Sequence, residues 1–206
     1  MRWLTAWLFM SLATTGFAGF DEDVRALQTE WERIKYARPA AEQEQAFEAL
    51  TQAADEVRAK HPGRAEPQIW FGIIAASYAG ARGGLGALST VKRAKKALEE
   101  ALAIDPKALG GSAYTSLGSL YYQVPGWPIG FGDDAKARAL LQQALALNPQ
   151  GIDPNYFMGD FLYRKGDYDG ARQALATALK APPRPERLLA DQGRRKEIEA
   201  LLAAMH

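Results

Sequence analysis

Few side chains in this sequence are placed to do covalent chemistry. It has no cysteine and two histidines, His61 just ahead of Pro62 and His206 at the last position. Thiol chemistry is excluded, and no His, Asp and Glu residues fall at spacings that would ligate zinc or calcium. No catalytic residue, metal or cofactor is therefore assigned, and what remains is the chemistry of recognition. Asp160 and Arg164 stand four apart, the spacing that brings opposite charges together on one helix face. Tyr156 and Tyr163 flank them and Tyr122 lies upstream. Rings with polar tips beside a few charges suit a peptide or a small organic solute.

Two glycine-rich stretches add candidates. GARGGLG, residues 80–86, sets Arg82 among glycines. It lacks the preceding strand and the closing Lys-Ser/Thr of a phosphate loop, so it reads as a turn with one available cation. VPGWPIGFGDD, residues 124–134, holds Trp127 and Phe131 between and beyond Pro125 and Pro128, and it cannot continue a helix. Its rings form either a lip for a ligand or a plug between helices, with Asp133 capping whatever helix follows. The Trp127 ring is expected to fill space, leaving recognition to the exposed backbone and to Arg82.

The elements that must hold these residues are helices. AKKALEEALAIDP (94–106), ARALLQQALALNP (137–149) and ARQALATALKAPP (171–183) share one pattern. Ala is followed four on by Leu, three further by Ala and five further by Pro. Small residues at the first and third places let another helix approach, Leu fills the gap, and Pro ends the helix. A glycine-bearing helix precedes each: Gly72 leads Ala94 by 22 residues, Gly118 leads Ala137 by 19 and Gly159 leads Ala171 by 12. The longer spacings place insertions between the two helices of the first and second units. Equivalent turns of stacked units lie on one edge, so these insertions are expected side by side.

This pattern resembles the tetratricopeptide repeat, a helix–turn–helix unit. The last unit carries it on Met158, Gly159, Leu162, Gly166, Tyr168, Ala171, Leu175, Ala178 and Pro183. The middle one does so on Tyr114, Leu117, Gly118, Tyr121, Ala137, Leu141, Ala144 and Pro149, and the first on Phe71, Gly72, Ala94, Leu98, Ala101 and Pro106. Asn155 or Tyr156 stands where the family often has Trp. The resemblance implies an all-α helix–turn–helix solenoid of about four helix pairs plus a closing helix. The first helix of each pair would line a concave groove bearing Tyr122, Tyr156, Asp160, Tyr163 and Arg164.

The expected organisation is an export signal over 1–18, a degenerate helical pair over 19–64 with helices near 23–37 and 40–60, repeats over 65–185, and a partly polar capping helix over 186–206. MRWLTAWLFMSLATTGFA has one cation, an apolar run and small residues ending at Ala18. That is the layout of a secretory signal cut after Ala18. Removing it, with Arg2, leaves cations and carboxylates equal in number. A neutral balance argues against nucleic acid as a partner, and no later segment has the length to span a membrane. The expected protein is a periplasmic or secreted, non-enzymatic scaffold that binds a protein, a peptide or a small solute. The resemblance also admits the tetratricopeptide-bearing accessory component of a tripartite solute transporter, and an enzyme built on the array is a distant third.

Overall fold

The computed structural model describes residues 15–205, so most of the expected export signal lies outside the described residues. Among the described residues, nine α-helices follow in order: α1 Thr15–Ala37, α2 Ala40–Lys60, α3 Ala65–Arg82, α4 Ala87–Ile104, α5 Ser112–Gln123, α6 Asp134–Leu147, α7 Ile152–Arg164, α8 Tyr168–Leu179 and α9 Leu188–Ala203. Short 3-10 turns at Ala108–Gly111 and Pro185–Arg187 precede α5 and α9. The helix starting near residue 23 by sequence begins at Thr15, and Phe20 anchors it. Its ring meets His61 edge-on at 5.0 Å and lies under the Arg64 guanidinium at 4.1 Å.

Each repeat is closed by the same lock. A Cβ on Gly72 would lie 2.5 Å from Leu98 Cγ, one on Gly118 2.9 Å from Leu141 Cγ, and one on Gly159 2.7 Å from Leu175 Cγ. The three leucines are fully buried, as are Ala94, Ala137 and Ala171 one turn before them and Ala101, Ala144 and Ala178 one turn after. Glycine on one helix lets leucine of the next enter to contact distance, and the flanking alanines let the two backbones approach. The sequence register is the packing register.

Successive first helices touch (α1 with α3, α3 with α5, α5 with α7), whereas successive second helices make no comparable contact. The array therefore curves with α1, α3, α5 and α7 on the inside. The first insertion is not a loop. Most of its residues extend α3 and α4, leaving residues 83–86 as the turn, where Gly83 and Gly84 take positive φ values of 65° and 63° that favour glycine. The Tyr78 hydroxyl, on the added turns of α3, donates to Glu48 Oε1 of α2 at 3.0 Å and ties the extension down.

The second insertion, residues 124–133, is an ordered loop. Gly130 N–H donates to Gly126 O at 3.1 Å, Gly132 N–H to Pro125 O at 3.0 Å and Asp133 N–H to Tyr121 O at 2.8 Å. Asp133 caps α6 as expected, accepting from Lys136 N–H at 3.0 Å. The neighbour that Phe131 meets across the repeat boundary is the Lys95 ammonium of α4, 5.7 Å from its ring.

The C-terminal helix departs most from expectation. Instead of shielding only the last repeat, α9 touches α1 as well as α7 and α8. It crosses the inside of the curve, carrying the buried residues Ala190, Asp191, Gly193, Arg194 and Ile198.

Candidate functional site

The concave face has two parts, one covered by the chain's own C-terminus and one open. The covered part is built on charge. Arg194, with 8% of its side chain exposed, donates to Asp153 Oδ1 of α7 at 3.0 Å and to Glu197 Oε2 at 2.5 Å. Its guanidinium lies 4.2 Å from the Tyr156 ring centre and 4.8 Å from that of Phe157. Arg184 spans Asp153 Oδ2 at 2.9 Å and Asp191 Oδ1 at 2.6 Å. On α1, Glu32 accepts from Arg187 Nε at 3.4 Å and from Ala190 N–H at 3.2 Å, while the Tyr36 hydroxyl donates to Glu197 at 3.3 Å. A Cβ on Gly193 would run into the Tyr36 ring, which is why a mid-helix glycine sits there.

Titration behaviour follows from this network. Burial works against ionisation of Asp153, but Arg194 and then Arg184 overcome it and hold the carboxyl below its usual range. Burial pushes the Tyr36 phenol up; Arg194 opposes that and the Glu197 and Asp153 carboxylates add to it. Buried charges survive here because each has an opposite partner.

The open part lies at the other ends of α5 and α7. The Tyr122 hydroxyl donates to Asp160 Oδ2 at 2.7 Å, and Arg164 Nε reaches Asp160 Oδ1 and Oδ2 at 3.0 and 3.1 Å. Asp160 is buried, Tyr122 is half-buried over Phe161, and the Arg164 side chain remains 51% exposed. Burial and then the Asp160 charge drive the Tyr122 phenol well above its ordinary value, so it stays a neutral donor. Burial opposes the Arg164 charge, and the Asp160 hydrogen bonds and charge more than restore it.

Both oxygens of the Asp160 carboxylate are taken up by the guanidinium and the phenol. Its role is to aim Arg164. Neither Nη of Arg164 has an acceptor among the described residues, so the outer edge of the fork is free to bind a carboxylate or carbonyl oxygen.

The structure thus brings together Tyr122, Asp160 and Arg164 and separates the other sequence candidates from them. Tyr156 is on the groove face but lies beneath Arg194. Tyr163 is half-buried against Tyr168, ring centres 5.7 Å apart. Arg82 folds over its own turn toward the Tyr78 hydroxyl at 3.4 Å. Phe131 packs edge-on against Tyr121 at 5.4 Å, making it the plug. Trp127, expected to fill space, is instead 90% exposed at the loop tip, because Pro125 and the Gly126–Gly130 bond turn residue 127 outward while Phe131 takes the gap.

Residues 129–190 match the family model of the tetratricopeptide repeat. Over this stretch the chain carries the tetratricopeptide pattern. The matched stretch takes in α6 and the pair α7 and α8, whose three-residue turn is shorter than those of α3–α4 and α5–α6. The longer helices α3 and α4 lie outside it. MamA is similar in structure at 19% identity, with 78% of this chain and 86% of that one aligned and a TM-score of 0.46. A thermophilic TPR protein of Thermus thermophilus gives 16% identity, 89% and 99% coverage and a TM-score of 0.46. Pseudomonas aeruginosa pilF gives 16%, 91% and 90%, and 0.37. No curated protein matches the sequence.

What sequence reasoning missed is the Arg184–Asp153–Arg194–Glu197 network and its closure on α1. Two signals pointed to it: Gly193 inside an otherwise helical stretch, and Asp191, Arg194 and Ile198 at helical spacing on one side of it.

Proposed function

We propose that this tetratricopeptide protein is exported to the periplasm and acts there as a non-catalytic scaffold. On this reading, the open end of its concave face holds a protein partner through a carboxylate or main-chain carbonyl. The observation that carries the proposal is the Arg164 fork. It is aimed by the buried Asp160, backed by Tyr122 and left with free Nη donors beside the stretch that α9 covers. A charge-assisted, bidentate bond from such a guanidinium supplies direction as well as affinity. Export is supported by the apolar run ahead of Ala18. A non-catalytic role is supported by an Asp160 whose two oxygens are already taken up by Arg164 and Tyr122.

The test is co-purification from a periplasmic extract, with the native chain compared with R164A and with its N-terminus sequenced. The expected result is an N-terminus at or near Gly19 and a dedicated protein partner recovered by the native chain. R164A should lose that partner at unchanged helicity. A cytoplasmic chain beginning at Met1 contradicts export. A metabolite consumed by the purified protein contradicts the scaffold reading.

A further inference from the structure

Because consecutive helices run antiparallel, the turns α1–α2, α3–α4, α5–α6 and α7–α8 fall on one edge of the array and the remaining turns on the opposite edge. The three most exposed large apolar side chains of the described residues all lie on the first edge. Trp127 is 90% exposed, Leu85 80% and Ile129 56%, and half-exposed Tyr168 occupies the next turn. The opposite edge carries Leu188 at 55% and the less exposed Ile104, Leu109 and Leu147, so what sets the first edge apart is the near-complete exposure of Trp127 and Leu85. Loop 124–133 is fixed by three backbone hydrogen bonds, so Trp127 is held out into water by an ordered backbone.

The charges around these tips are not balanced. Every carboxylate of the second to fourth turns is already engaged. Asp133 accepts from Lys136 N–H, Asp134 from Lys165 Nζ, Asp167 from Gly170 N–H and Asp169 from Arg172. Arg82, at the end of α3 next to the Leu85 turn, and exposed Lys92 of α4 have no carboxylate partner among the described residues. Asp167 is bonded only to a neutral N–H, so the unpaired charges at the tips are two cations against one carboxylate, a net positive balance on the α3–α4 side. The first turn carries Glu42 and Glu44 and no exposed large apolar side chain, so it stands outside the patch.

We propose that this edge, from Leu85 through Trp127 and Ile129 to Tyr168, is a docking edge for an anionic phospholipid surface. The apolar tips would enter the interfacial layer, and Arg82 and Lys92 would meet headgroup phosphates. The tips stand on three separate turns rather than around one concavity. A protein partner would need a separate pocket for each, whereas a bilayer interface accepts independent protrusions. Trp and Tyr favour that interface because their rings are apolar and their tips polar. A few apolar side chains with flanking cations give reversible attachment that depends on anionic lipid and weakens with salt. Neither Asp160 nor Arg164 takes part, so groove binding and vesicle binding fail independently.

The test is sedimentation of the full chain with phosphatidylcholine vesicles containing none or about one quarter phosphatidylglycerol. Native protein is compared with W127A/I129A and with R82Q/K92Q. All three share one N-terminus, so any difference arises from the edge. The expected results are binding to the anionic vesicles, a loss of about tenfold or more in W127A/I129A with native helicity, and loss of the phosphatidylglycerol dependence in R82Q/K92Q. Equal vesicle binding by native protein and W127A/I129A, or no binding by either, overturns the proposal. So does a soluble protein that depends on Trp127 while vesicles are ignored.

Discussion

The repeat stack and the closing segment are held by different physics. In α3 to α8 each helix pair is closed by an apolar lock between helices adjacent in sequence: Gly72 with Leu98, Gly118 with Leu141, Gly159 with Leu175. Between α9 and the inner helices, buried Ile198 clusters with Ile152, but the distinguishing contacts are ionic and distant in sequence. Tyr36 to Glu197 spans 161 residues and Glu32 to Ala190 spans 158. Apolar locks repeat because one unit solves the same problem each time. A closure that joins the two ends of the array happens once and needs direction, which buried guanidiniums provide. The stack should therefore tolerate loss of the closure, whereas the closure depends on the curvature that the stack sets.

The largest effect is expected where that difference is sharpest. Arg194→Ala removes the guanidinium shared by Asp153, Glu197 and the Tyr156 and Phe157 rings, leaving carboxylates under-compensated in a buried site. Breaking a buried pair in this way costs about 3–5 kcal/mol. Chemical denaturation should register that loss mainly as early release of α9, with the circular dichroism of the stack persisting. If both regions melt together at native stability, the closure carries no such load.

A smaller loss is expected inside a lock. Gly159→Ala places a Cβ about where Leu175 sits, 2.7 Å from its Cγ, and overpacking of this kind costs about 1–3 kcal/mol. Thermal melting should fall for the whole array, unlike the local release expected of Arg194→Ala. An unchanged melting temperature would count against the register.

Much of the stack could be read from the sequence because its determinants are short-range. Alanine, leucine and proline at fixed spacings state where each second helix packs and ends, and Asp133 before Asp134 states where α6 starts. The closure was not readable in that way. DQGRRKEIEALLAAM has the charge of a solvent-facing cap, and only the fold supplies Asp153 and Glu32 to neutralise its arginines. Among the site residues, the four-residue spacing of Asp160 and Arg164 revealed their pairing. The approach of Tyr122 depends on the stacking of α5 on α7, and the covering of Tyr156 depends on α9. The size of Trp127 suggests burial, whereas the loop's hydrogen bonds decide which ring turns inward.

Acid should separate the regions more gently. The Asp153 pKa in the folded chain lies below its unfolded value. Its contribution is thus complete above about pH 4 and is lost as pH falls through the folded value. Hydrogen exchange should show α9 losing protection in acid before α3 and α4, and Asp153→Asn should remove the difference. Simultaneous loss of protection would remove the distinction between the two regions.

The smallest effect belongs to Trp127→Ala. With the ring 90% exposed, stability should change by no more than about 0.5 kcal/mol. A loss of several kcal/mol on denaturation would return Trp127 to the core and the loop to a purely structural role.

The central claim is that α9 crosses the concave side and meets α1. Lys35 Nζ lies 3.5 Å from Glu197 Oε1, close enough for a zero-length amide cross-link formed by carbodiimide. Mass spectrometry of the treated monomer should find the Lys35 peptide joined to the Glu197 peptide within one chain. Other surface ion pairs, such as Lys95 with Glu99, serve as the positive control. Recovery of the control link without any Lys35–Glu197 link, or with that link only between two chains, would contradict the closed array.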